Sequence, residues 1–144
     1  MGNVAVSRLY HIGIPVNDMK RAEKFYQEVL GMKPRARGKG ERETNRPFFE
    51  ALGYWPENLR LATAEGDVEV VLFDRPKPID YDWKSDGMCH TAFTTSTEDF
   101  DLAFEKMKEW GVKFHLGPID YGRGRTLYFF DSEGNLLQLS DRAE

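Results

Sequence analysis

The strongest constraint on this chain is that it repeats itself. HIGIPVNDMKRAEKFYQEVLGMKP begins at His11, and HTAFTTSTEDFDLAFEKMKEWGVKF begins at His90. Each copy opens with a histidine and a short strand-like run. Each then passes capping residues, Asn17 and Asp18 in the first, Ser96 and Thr97 in the second, and enters an amphipathic helix. Ala22, Phe25, Tyr26, Val29 and Leu30 fall on one helical face, as do Phe100, Ala103, Phe104 and Met107. Phe25 and Phe104 each lie 14 residues after their histidine, and a glycine suited to a left-handed cap follows each helix, Gly31 and Gly111. A duplicated unit must bury two equivalent apolar helix faces against two equivalent sheets.

The rest of each copy reads as strands. Residues 59–65 and 68–73 flank a turn at Gly66-Asp67, and residues 126–131 and 135–140 flank a turn at Asp131–Gly134. With a short strand near 32–37 and another near 112–116, the order is βαβββ twice, an α+β arrangement. The spacing predicts one domain over 1–144, with module one at about 7–75 and module two at about 88–141. A proline-bearing linker at about 74–87 joins them.

Composition narrows the function. A net charge of -4 excludes a general nucleic-acid partner. No apolar run approaches a membrane span, and MGNVAVSRLYH does not read as a signal peptide. Cys89, the one cysteine, excludes an internal disulfide and suggests a cytoplasmic home.

Strand alternation then sorts side chains by face. Tyr10, Ile12, Ile14 and Val16 make an apolar row for the helix, which turns His11 and Gly13 to the opposite, open side. If Phe93 packs under its helix, His90 lies on the open side and Cys89 shares the buried row. Val68, Val70 and Leu72 belong under the helix, so Glu69 faces outward, since an unpaired buried carboxylate is costly. Leu137 and Leu139 make the last apolar row, leaving Gln138 and Ser140 outward. His11, Glu69, His90 and Gln138 therefore converge on one concave surface. Two imidazoles, a carboxylate and an amide oxygen suit one divalent ion with positions left for water or substrate. A single strand-opening histidine is ordinarily a packed or solvated residue; two at matching places in a repeat suggest a pair of ligands. His115 has no counterpart and reads as surface.

Four stretches together resemble the vicinal oxygen chelate superfamily, the glyoxalase/bleomycin resistance/dioxygenase fold. They are the two repeat segments, LGYWPENLRLATAEGDVEVVLFDRP and TLYFFDSEGNLLQLSD. The resemblance spans nearly the whole chain. It implies paired modules forming an open half-barrel mixed sheet around a central cleft. It also implies one divalent metal ion (Zn, Ni, Co, Mn or Fe) that binds two neighbouring substrate oxygens. The ligand positions carry over to His11, Glu69, His90 and Gln138. This chain departs from the family where glutamate is usual and Gln138 stands. A gapless overlay of EGDVEV on EGNLLQ equates Val70 with Gln138, and a one-residue shift restores Glu69.

The resemblance implies a metal-dependent lyase or isomerase acting on a small oxygenated, anionic metabolite, with Glu69 as the proton-transferring base and Tyr128 beside it. A non-catalytic drug- or ligand-binding protein of the same fold is the alternative; so are an extradiol dioxygenase and a fosfomycin-type thiol transferase. Arg123 and Arg125, on a glycine-rich loop, are candidates for binding the anion. PRARGKGERETNRP carries five Lys/Arg against two Glu and reads as a basic loop. Phe48, Phe49, Tyr54 and Trp55 form an aromatic cluster able to wall a pocket or bury a second subunit. A homodimer is expected, because one chain's sheet is often completed by another in this family.

Overall fold

A computed structural model of the chain describes residues 2–141. In chain order its elements are β1 (His11–Val16), α1 (Met19–Glu28), β2 (Lys33–Gly38), a 3-10 turn (Glu43–Asn45), α2 (Arg46–Leu52), β3 (Asn58–Ala62) and β4 (Glu69–Asp74). Then follow β5 (Thr91–Thr94), α3 (Thr97–Trp110), β6 (Phe114–Asp120), β7 (Arg125–Phe130) and β8 (Leu136–Ser140). The strands make two four-stranded sheets, ordered β1-β4-β3-β2 and β5-β8-β7-β6. In each, the first strand runs parallel to the last and the other pairings are antiparallel. The duplicated α+β architecture read from the sequence is the architecture observed, and neither sheet closes into a barrel. Among the described residues no helix is long and apolar enough to cross a membrane.

Each helix forms where the sequence supplies both a cap and an apolar stripe. The Asp18 carboxylate accepts from the Arg21 N–H at 3.0 Å, and the Ser96 hydroxyl accepts from the Asp99 N–H at 3.1 Å. Gly111 ends α3 at φ 70°, a conformation that favours glycine. Ala22, Phe25, Tyr26 and Val29 are buried beneath α1, and Phe100, Ala103 and Met107 beneath α3. Ile14, Val16, Val70 and Leu72 meet them from the first sheet, and Leu127, Phe129, Leu137 and Leu139 from the second. Fully burying one such side chain contributes about 1.5–3 kcal/mol.

One polar junction ties the two units together. Glu133, in the β7–β8 turn, accepts the backbone N–H groups of Asn17 (2.9 Å) and Asp18 (2.8 Å) and the Arg21 guanidinium (2.8 Å). Beside it Asp131 accepts the Tyr26 hydroxyl at 2.7 Å, and Asn135 donates to the Pro15 carbonyl at 2.8 Å.

Four expectations change. Residues 46–52 form α2, overlapping the end of the stretch 34–47 read as a basic loop; Pro47 in its first turn and left-handed Gly53 after it were the boundary signals. Strand β6 runs to Asp120 and is longer than expected. Cys89 is exposed, not buried, because β5 begins at Thr91 and strand alternation does not reach back to it. Tyr10 is exposed for the same reason, preceding β1.

Candidate functional site

Both sheets keep one face uncovered by helices, and the candidate ligands stand there in two pairs. In the first sheet His11 and Glu69 are direct partners across the parallel β1–β4 register, so their side chains share a face. Arg60 of β3 stands on the same face, its Nη1 3.6 Å from Glu69 Oε1. That is an ion pair beyond hydrogen-bond reach. Arg60 Nη1 and His11 Nδ1 are both buried without a hydrogen-bond partner. Such atoms carry a full desolvation cost until something meets them.

In the second sheet His90 lies just ahead of β5 and is exposed. Its Nδ1 is 2.7 Å from the Met88 carbonyl oxygen, and its Nε2 is 3.1 Å from Gln138 Oε1. A carbonyl only accepts, so Nδ1 carries the hydrogen, and in a neutral ring Nε2 presents a bare lone pair. It presents that lone pair to an amide oxygen, which is also an acceptor. Two acceptors at this separation repel unless a proton or a cation lies between them. Two cis ligands bound at about 2.1 Å to one octahedral ion would be about 3 Å apart. The pair therefore fits half of a divalent-cation site.

Tyr128 stands directly across from Gln138 in the β7–β8 register, and its ring meets His90 edge-on at 5.3 Å. Thr126 and Ser140 continue the same face and are buried. Ser140 donates to the Arg125 carbonyl at 2.9 Å, Thr126 to the Ser140 hydroxyl at 3.3 Å, and Gln138 Nε2 to Thr126 Oγ1 at 3.5 Å.

Among the described residues no three His, Cys, Asp or Glu side chains gather closely enough to hold a metal ion. Within one chain, then, His11 and Glu69 are not brought into a single cluster with His90. Arg125 has the parity of Leu127 and Phe129, so it lies on the helix side of β7, over the Phe100 ring at 4.3 Å. Its guanidinium bonds Asp141 at 2.7 Å and Asp101 at 2.6 Å, a structural tie between sheet and helix. Arg123 sits exposed in the β6–β7 loop. Sequence reading passed over Arg60, Thr126 and the Met88 carbonyl. Alternation in LRLA places Arg60 opposite Leu59 and Leu61, which was the available signal for it.

Comparisons with known proteins give the family and the fold. The family model described as Glyoxalase/Bleomycin resistance protein/Dioxygenase superfamily matches residues 8–139. A virulence protein of Salmonella typhimurium is 26% identical over 94% of this chain and 84% of its own length. The glutathione transferase FosA of Serratia marcescens is 26% identical over 91% of this chain and 78% of its own. Among solved structures, a glyoxalase family protein from Bacillus cereus superposes with a TM-score of 0.83 at 20% identity, covering 100% of this chain and 99% of that one. The fosfomycin resistance protein FosX of Listeria monocytogenes, complexed with Mn(II) and sulfate, superposes with a TM-score of 0.70 at 19% identity, covering 96% and 95%. The family model covers nearly the whole chain and the repeated βαβββ units match its fold: the chain is a member of the glyoxalase/bleomycin resistance protein/dioxygenase superfamily.

Proposed function

We propose that the protein is a divalent-metal-dependent enzyme that adds a nucleophile, a thiol or water, to a small anionic oxygenated substrate. The single observation that carries this reading is the His90–Gln138 pair, two acceptors 3.1 Å apart on an open face. The orphaned His11 Nδ1 supports it. The ligands would be His90 and Gln138 of one chain with His11 and Glu69 of a second, so the working unit is a homodimer. The separation of the two pairs within one chain supports that arrangement. Bound there, a divalent ion acts as a Lewis acid on a substrate oxygen.

This chain's own side chains supply the rest. Arg60, whose Nη1 is buried without a hydrogen bond and pairs with Glu69 only at ion-pair distance, offers a donor to an anionic group. The Tyr128 hydroxyl, on the strand position paired with Gln138, would give a proton to the departing oxygen. In the reaction the nucleophile forms a bond to carbon and gives up its proton, the carbon–oxygen bond breaks, and the oxygen takes a proton from Tyr128, which the nucleophile's proton replaces. The likeness to FosA, a glutathione transferase, and to FosX favours this addition. A second reading, isomerisation or lyase-type proton transfer with Glu69 as base, draws on its place beside His11. The Arg60 guanidinium against Glu69 weighs against it, since a base must leave that partner to reach a substrate carbon.

The test is metal content and complementation. Protein purified without added metal should hold a stoichiometric divalent ion. His11→Ala and His90→Ala should each lose it. Mixed after subunit exchange, the two variants should regain it, because one of the two sites in a mixed dimer keeps both histidines. No regain would overturn the shared site. An empty wild type that still binds an organic ligand would overturn the enzyme reading in favour of a binding protein.

A further inference from the structure

A glutamate in place of Gln138 would present an acceptor oxygen whichever way its carboxylate turned. A glutamine presents oxygen one way and an NH2 the other, and only the first can serve a cation. The substitution therefore creates a need for orientation, and the second sheet answers it. The Arg125 carbonyl is an obligate acceptor, so the Ser140 hydroxyl, 2.9 Å away, must donate to it. With its hydrogen so committed, Ser140 Oγ accepts from Thr126 at 3.3 Å. Thr126 Oγ1, its own hydrogen in turn committed, can only accept, and what faces it at 3.5 Å is the Gln138 amide. In the structure the amide turns its NH2 toward Thr126 and its oxygen toward His90. From the other side, the Met88 carbonyl fixes the His90 tautomer so that a bare Nε2 faces that oxygen. Thr126 and Ser140 are 2% and 5% exposed, so water does not compete for these hydroxyls.

We propose that Thr126 is a positioning residue: through a one-way hydroxyl relay to Ser140 and the Arg125 carbonyl, it holds the Gln138 amide with its oxygen toward the cation side. This inference rests on the metal reading above, and the experiment separates the two. The probe is Mn(II), titrated into metal-free protein and followed by calorimetry and by the electron paramagnetic resonance signal of the free ion. Wild type should bind at one site per chain. Thr126→Val keeps shape and removes the hydroxyl. It should weaken Mn(II) binding about tenfold, the scale on which supports of metal ligands act. Thr126→Ser should restore it. In a Gln138→Glu background Thr126→Val should change affinity less than about twofold, because a carboxylate has no wrong face. A purely structural role for Thr126 would weaken binding equally in both backgrounds. Should Thr126→Val disturb the fold, Ser140→Ala breaks the far end of the relay, with the same contrast expected between the two backgrounds. If wild type binds Mn(II) and Thr126→Val binds it as tightly, the positioning role is overturned and the metal reading stands. If wild type binds no Mn(II), both fall together.

Discussion

The turn between β7 and β8 and its counterpart between β3 and β4 hold equivalent places in a repeated backbone, yet only one is closed. The β7–β8 turn drives Glu133 into the N-terminus of α1, where it accepts two backbone N–H groups and the Arg21 side chain. The β3–β4 turn, with Glu65 and Asp67, stands across a cleft of about 1040 Å³ from Ser96 and Asp99 of α3. Helix charge explains the difference. Beyond its Asp18 cap, α1 has no acidic residue in its first turn, whereas α3 has Glu98 and Asp99. A helix N-terminus attracts anions. The first helix imports its second carboxylate from the other module, and the third already owns two, which repel any acid offered by the opposite turn. A duplicated fold thus needs only a few side chains to lock one junction and leave the other open.

The largest expected effect tests the lock. Glu133→Ala removes a buried carboxylate that two backbone N–H groups and a guanidinium share, a loss of about 3 kcal/mol. Urea unfolding should show that drop, while Glu65→Ala and Asp67→Ala stay within about 0.5 kcal/mol of wild type. Equal losses at the two turns would mean the asymmetry has no energetic weight.

Acid sharpens the same contrast. Burial works to raise the Glu133 carboxyl, but the Arg21 side chain, the Asp18 N–H, the Ser132 hydroxyl and the Asn17 N–H outweigh it and hold it below its ordinary 4.5. A depressed carboxyl stabilises the fold fully above its unfolded value and loses that stabilisation as pH falls through its folded value. Asp131 acts in the opposite sense, because burial raises it above its ordinary 3.8 despite the Tyr26 and Asn135 hydrogen bonds. It favours the fold in acid and costs stability as pH rises through its folded value. The urea midpoint of Glu133→Gln should therefore fall less between pH 7 and about pH 3 than that of wild type. An unchanged pH slope would show that another carboxylate governs the acid limb.

Arg21 should matter less than its partner. Its side chain is half exposed, so solvent screens the pair, and Arg21→Met should cost only about 0.5–1 kcal/mol. A loss as large as that of Glu133→Ala would place the energy in the ion pair rather than in the backbone N–H groups.

Much of this was legible in the sequence, for one physical reason: alternation and helical periodicity survive duplication, so each face was checked twice. The uncovered positions of His11, Glu69 and Gln138 follow from Ile14, Val70 and Leu137 being apolar. Side chains outside a regular strand carried no such signal. Cys89 and Tyr10 precede their strands and turned out exposed. Arg125 looked like a ligand-binding residue because it follows Gly124 on a glycine-rich loop; only its parity with Leu127 shows it facing α3. The Glu133 lock was illegible, because it joins residues 112–116 positions apart through backbone donors that any sequence would supply.

The smallest effect concerns the open junction. Glu98 and Asp99 lie in the first turn of α3 and are exposed. Neutralising both, as Glu98→Gln with Asp99→Asn, removes anions from the positive end of the helix at a cost of about 0.3–1 kcal/mol each at low ionic strength. Salt screens exposed charges, so most of that difference should vanish at about 1 M salt, where the screening length is about 3 Å. The loss from Glu133→Ala should persist there, since a buried carboxylate holding backbone donors is little screened. The two helix N-termini should therefore differ in their sensitivity to added salt. If both losses fade alike in urea unfolding at low and high salt, the locked and open junctions differ only in the sequence distance of their charges.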